Sequence, residues 1–118
     1  MTVPRESSPS VVIKSANRAE IAQAVETYVA QLRREHPEIQ RVIWFGSWVT
    51  GIPTPGSDVD LCLIITHTDK PRWERSVDYL PVGFPVGVDV FVYTPEEFAR
   101  LAQESPGWSA AIQAGLEM

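Results

Sequence analysis

Two β-rich apolar runs flank a stretch that no regular element can cross. Arg41-Val42-Ile43-Trp44-Phe45 ends at Gly46, and Leu61 to Ile65 is apolar without a break. Between them, Gly46 to Ser57 carries three glycines and two prolines. That density of backbone breakers leaves only a loop. The chain must therefore fold as strand, loop, strand. The second strand, Asp58 to Thr66, is expected to be buried on both faces, as continuous apolar strands are.

Other signals place the remaining elements. Ile21, Val25, Tyr28, Val29 and Leu32 recur at helical spacing and predict a helix over about 18–35. Asn17 and Glu20 resemble a capping pair at its start, and Pro37 stops it. Residues 68–80 are mixed and charged, which suits a short helix or an irregular crossover. A third strand is expected over Val86 to Tyr93. Thr94-Pro95-Glu96-Glu97 is a strong helix start, with Thr at the N-cap, Pro at the first helical position and Glu at the third. That helix should pack Phe98, Leu101 and Ala102. Ser105-Pro106 opens a last short helix with Trp108 and Ile112 inward, closed near Gly115.

The fold class is α/β (α+β): a small mixed sheet flanked by helices. Residues 1–16 read as a flexible arm, whose Val11-Val12-Ile13 segment could pair on a sheet edge or cover a helix. Residues 17–118 read as one domain, a size that suits a single modest core. A net charge of −5 argues against a broad basic surface for nucleic acid. It leaves open a nucleotide held through a metal, because the ion supplies the positive charge. No apolar run approaches the roughly 20 residues that a membrane span needs. The single cysteine, Cys62, lies in an apolar run and is expected as a buried thiol, consistent with a cytoplasmic protein.

The chemistry concentrates in a few acids. Side chains two apart on a strand share a face, so Asp58 and Asp60 point together. Two carboxylates at that spacing repel, and a divalent cation relieves them. Asp89 stands alone in Val88-Asp89-Val90-Phe91-Val92, where an unpaired charge is unexpected. If its strand lies beside the second, three carboxylates meet. Such a set can hold two Mg²⁺ ions about 4 Å apart. Gly46 and Ser47 directly follow a strand. Glycine there admits a phosphate close to the backbone, and the serine hydroxyl with neighbouring N–H groups can donate to it.

The pattern Gly46-Ser47, ten residues, Asp58-Val59-Asp60, with Ser57 before the first acid and Asp89 on a later strand, resembles the DNA polymerase β-like nucleotidyltransferase superfamily, and within it the minimal, MNT-type members. Gly51 and the segment from Ser105 to Leu116 fit the same group. The resemblance implies the polymerase β-like fold and a Mg²⁺-dependent transfer of NMP, AMP from ATP or that of another NTP, to an acceptor hydroxyl with release of pyrophosphate. It implies Asp58, Asp60 and Asp89 as metal ligands and catalytic carboxylates, with Gly46, Ser47 and Ser57 around the phosphates. It also implies a HEPN-domain toxin as partner and acceptor and an antitoxin role; a homo- or hetero-oligomer is compatible with this, and the acidic charge argues against direct nucleic-acid contact. The alternatives are a non-catalytic antitoxin or scaffold with a degenerate nucleotide site, and a small-molecule (antibiotic) nucleotidyltransferase.

Trp48 and Thr50 stand where many relatives carry arginine. Phosphate charge would then be met by metal or by Lys70, Arg72 or Arg75, otherwise expected on a solvated face. Trp48 and Trp73, in polar segments, are expected to be exposed, with Trp48 available to stack on a base. His36 and His67 read as surface residues.

Overall fold

The computed structural model describes residues 17–54 and 56–118. The arm over 1–16, including Val11-Val12-Ile13, lies outside the described residues. Helix α1 (Arg18–Glu35) leads into strand β1 (Ile39–Phe45), the loop, and strand β2 (Val59–Ile65). A helical turn α2 (Arg72–Arg75) and a 3₁₀ turn (Ser76–Asp78) cross to β3 (Val88–Tyr93). Helices α3 (Pro95–Glu104) and α4 (Pro106–Gln113) follow, and a two-residue strand β4 (Leu116–Glu117) ends the chain. The sheet order is β3-β2-β1-β4. β1 runs antiparallel to β2 and β4, and β2 runs parallel to β3, so the sheet is mixed as expected.

β2 is central and buried on both faces because two apolar layers cover it. Val59, Leu61, Leu63 and Ile65 face α1, where they meet Ile21, Val25, Tyr28, Val29 and Leu32. Cys62 and Ile64 face α3 and α4, alongside Ile43, Phe45, Tyr93, Leu101 and Ile112. Burial pushes the Cys62 thiol up to about 12, so it stays protonated and inert. Asn17 caps α1 by accepting from the N–H groups of Ala19 and Glu20. Thr94 and Glu97 form the full capping box of α3, with Pro95 at its first position. Ala102 points outward, because the inward stripe of α3 ends with Phe98 and Leu101.

No sequence pattern predicts a strand after α4. β4 forms because Gly115 turns the chain back beside β1, where Leu116 and Glu117 pair with Trp44 and Ile43. Arg41 then grips Glu117 in a two-pronged ion pair at 2.9 and 3.0 Å. Two residues have no period to read, and their partner lies 76 positions away. No helix among the described residues is long and apolar enough to cross a membrane.

Arg75 is the second departure. It sits buried, not on a solvated face. Its guanidinium forks onto Glu97 at 2.7 and 3.1 Å and also donates to the carbonyls of Lys70 and Val92. Lys70 pairs with Asp78 at 2.6 Å, and Arg72 lies over the Tyr93 ring. Arg72 and Arg75 fasten the crossover to the far end of β3, and the Lys70–Asp78 pair closes the crossover on itself.

The Arg75 hydrogen bonds hold the Glu97 carboxyl down at about 2, below its ordinary 4.5. A depressed carboxyl stabilises the fold above the unfolded value and loses that contribution as pH falls through the folded one. Urea unfolding should therefore show stability dropping between pH of about 4.5 and 2. Arg75→Ala should lower stability at pH 7 by about 3 kcal/mol, as removing one partner of a buried pair does, and should flatten the acid drop. An unchanged acid profile in Arg75→Ala would rule out this pair as its source.

Candidate active site

The C-terminal end of β1 and the N-terminal ends of β2 and β3 lie at one edge of the sheet. The antiparallel and parallel pairings require it. Asp60 is in register with Asp89 across the parallel pair, and with Phe45 on its other side. Registered residues in a parallel pair share a face about 4.8 Å apart, so the two acids stand side by side. Asp58 lies one residue before β2 and is fixed by Val59, whose N–H donates to the Gly87 carbonyl at 2.9 Å. The structure thus brings Asp58, Asp60 and Asp89 to the same end. Asp58 and Asp89 are exposed, and Asp60 is half-buried.

Beneath Asp60 lies an aromatic floor. Phe45, Phe91 and Trp108 meet at centroid distances of 5.0 to 5.9 Å, and Trp108 donates through its indole N–H to the Tyr93 hydroxyl at 2.9 Å. Burial over this floor, then the charges of Asp89 and Asp58, push the Asp60 carboxyl up to about 6.

Two glycines make room for the acids. A Cβ on Gly46 would fall 2.3 Å from the Asp60 carboxylate, and Gly46 has φ of +91°, a conformation L side chains rarely adopt. A Cβ on Gly87 would fall 2.4 Å from the Asp58 carboxylate. The spacing signal in the sequence finds Gly46. The role of Gly87 emerges only once β3 lies beside β2.

After Gly46 the chain makes one helical turn. The Gly46 carbonyl accepts from Val49 and Thr50, and the Ser47 carbonyl accepts from Gly51. The Thr50 hydroxyl donates back to the Gly46 carbonyl at 3.3 Å. The N–H groups of Ser47 and Trp48 have no protein acceptor among the described residues. They are available for phosphate oxygens next to the acids. The Ser57 hydroxyl is engaged within the loop, with the Thr54 N–H at 2.9 Å and the Thr54 hydroxyl at 3.1 Å.

Trp48 corrects the sequence expectation. It is 2% exposed, packed into the core cluster beneath α1, and cannot stack on a base. It is buried in a polar segment because its indole N–H reaches the Ser57 carbonyl at 2.8 Å. Trp73 is exposed as expected, at 82%. Arg18 escaped the sequence reading. As the first residue of α1 it donates to the Trp48 carbonyl, 30 positions away, and no local pattern announces that. Lys70, Arg72 and Arg75 do not approach the acids. They gather at the end of β3 that lies roughly 13 Å from Asp89 at the rise of a strand.

The donor set suits a hard divalent cation. Three carboxylates offer oxygen ligands, and a cation between them would relieve the repulsion and desolvation that raise Asp60. Among the described residues no three such side chains are already drawn to coordinating separation. Closing around an ion therefore requires rotation of the exposed Asp58 and Asp89.

Comparison with known proteins fits this geometry. The family described as the central palm domain of mitochondrial-like poly(A) RNA polymerase matches residues 7–100. The chain belongs to that family. It is a nucleotidyltransferase of the palm-domain kind, and the family uses an NTP and a divalent metal. A solved structure of a proposed nucleotidyltransferase from Sulfolobus solfataricus has the same fold. Its TM-score is 0.60 at 15% identity, over 85% of this chain and 80% of that one. No curated protein matches the chain in sequence.

Two substitutions test the layout of this palm domain. Gly87→Ala should leave the melting temperature nearly unchanged, since exposed Asp58 can swing aside, yet cut nucleotidyl transfer at least tenfold. Asp60 gives a stability test. Because its carboxyl is raised above 3.8, metal-free protein should lose stability as pH rises from about 4 through 6. Asp60→Asn should then be more stable than wild type at pH 7 by about 1–2 kcal/mol, with a chelator present, and indistinguishable at pH 4. Equal stability at both pH values would contradict the strained placement of Asp60.

Proposed function

We propose that this palm domain transfers AMP from ATP to a hydroxyl on another macromolecule and releases pyrophosphate. The observation that carries the reading is the register of Asp60 with Asp89, with Asp58 beside them and the open N–H groups of Ser47 and Trp48 next to the same edge. Asp58, Asp60 and Asp89 would hold Mg²⁺, with two ions implied by the three-carboxylate set. When bound, the metal supplies charge neutralisation for the triphosphate and lowers the barrier to attack by the acceptor hydroxyl. The chain's own residues supply position. Gly46 and Ser47 present the turn to the phosphates. Exposed Asp89 is the carboxylate placed to accept the proton from an acceptor hydroxyl. Ser57 contributes by ordering the loop that leads into Asp58.

The acceptor is read as a protein hydroxyl. The net charge is −5, and Arg41, Lys70, Arg75 and Arg100 are each paired with a carboxylate. That leaves little basic surface for a polynucleotide. The motif resemblance to MNT-type proteins makes a HEPN-domain toxin the preferred acceptor, with the present chain as its antitoxin. A second reading, transfer to an RNA 3′-hydroxyl, is favoured by the name of the matched family.

The test is transfer from α-labelled ATP to a HEPN-domain partner and, separately, to an RNA oligonucleotide. Label should appear on the protein, require Mg²⁺, and fall at least a hundredfold in Asp58→Ala/Asp60→Ala. Label confined to RNA would select the second reading. Equal labelling by wild type and the double variant would remove both.

A further inference from the structure

Trp48 occupies a position where a basic residue would serve the phosphates, yet it is buried. Its connections explain what it does instead. Its backbone N–H belongs to the open end of the Gly46–Gly51 turn. Its side chain crosses the loop and donates to the Ser57 carbonyl at 2.8 Å. Ser57 is bonded directly to Asp58. Among the described residues this is the single hydrogen bond that ties the turn to the Ser57–Asp58 corner. The loop between is held within itself by the Thr54–Ser57 hydrogen bonds, while Ile52 is 93% exposed. On its other side Asp58 is located by the Val59–Gly87 hydrogen bond and by the space that Gly87 leaves. The strut is itself anchored twice, by the core cluster around the ring and by Arg18 on the Trp48 carbonyl.

We propose that Trp48 is a positioning residue that fixes the Asp58 backbone against the Ser47 turn, so that the carboxylate rotates onto a cation from a set position beside the phosphate donors. This rests on the reading of the acids as a metal and nucleotide site. It gives Trp48 a role in alignment rather than in charge. The indole suits that role because it is rigid, fills the core, and carries one directed N–H donor. Misplacing a ligand by about 1 Å is enough to cost a large factor in rate.

The test separates the N–H from the ring. Trp48→Phe keeps an aromatic in the core and deletes the donor. Site-specific replacement of Trp48 by β-(3-benzothienyl)alanine keeps the bicyclic shape with sulfur in place of N–H, and decides the matter if the Phe variant folds poorly. Three quantities are read: melting temperature, Mn²⁺ affinity in the presence of a non-hydrolysable ATP analogue, and the kinetics of transfer. The strut predicts a benzothienyl protein that melts within a few degrees of wild type, binds Mn²⁺ about tenfold more weakly, and shows kcat reduced about tenfold with KM for ATP within a factor of two. A benzothienyl protein with wild-type Mn²⁺ affinity overturns the proposal. So does one whose activity loss tracks its loss of folded protein. If wild type binds Mn²⁺ and nucleotide but transfers nothing, the transfer reading fails, and the strut is still judged on Mn²⁺ affinity.

Discussion

Crowding of negative charge at one edge of the sheet governs the rest of the molecule. Parallel pairing of β2 with β3 puts Asp60 beside Asp89, and the step into β2 adds Asp58. Packing alone would not select three acids there. Asp60 is desolvated by burial and repelled by its two neighbours, so its carboxyl sits at about 6. That arrangement costs folding free energy in the absence of a cation. A divalent cation among the three carboxylates would offset that cost. Gly46 and Gly87 are the backbone's accommodation of the same crowding, each leaving out a side chain that would strike a carboxylate.

The remainder of the fold holds that edge steady. Apolar layers on both faces of β2 fix its register against β1 and β3, and a slip of one residue would turn Asp60 into the α1 core. At the opposite end of β3, Arg75 and Glu97 lock the crossover and the start of α3. Basic residues serve structure at that end while the acids stand at the other. On the proposed function, phosphate charge would then be met by backbone N–H groups and metal.

Much of this was legible in the residues. The continuous apolar run of β2, the helical spacing in α1 and the Thr94-Pro95-Glu96-Glu97 start of α3 each depend on neighbours in the chain, and each element formed where its pattern lies. The spacing from Gly46 to Asp60 signalled the site because local geometry fixes which side chains share a face. What escaped depends on distant contacts. Trp48 was buried by a carbonyl across the loop and Arg75 by Glu97, while β4 pairs with β1 and is joined to it by Arg41 and Glu117. Arg18 reaches the site from the first turn of α1, which no window of sequence reports. Polar neighbours marked Trp48 and Arg75 as surface residues, and tertiary hydrogen bonds overrode that signal.

On the proposed function, the three carboxylates form one cation site together with the nucleotide. Electron paramagnetic resonance of Mn²⁺, titrated with a non-hydrolysable ATP analogue, reads it directly. Wild type should bind Mn²⁺ only weakly alone and much more tightly with the analogue. Asp89→Asn should lose most of that gain, whereas Asp69→Asn, altering an exposed carboxylate beyond the far end of β2, should keep it. Nucleotide-dependent Mn²⁺ binding that survives Asp89→Asn unchanged would contradict the account.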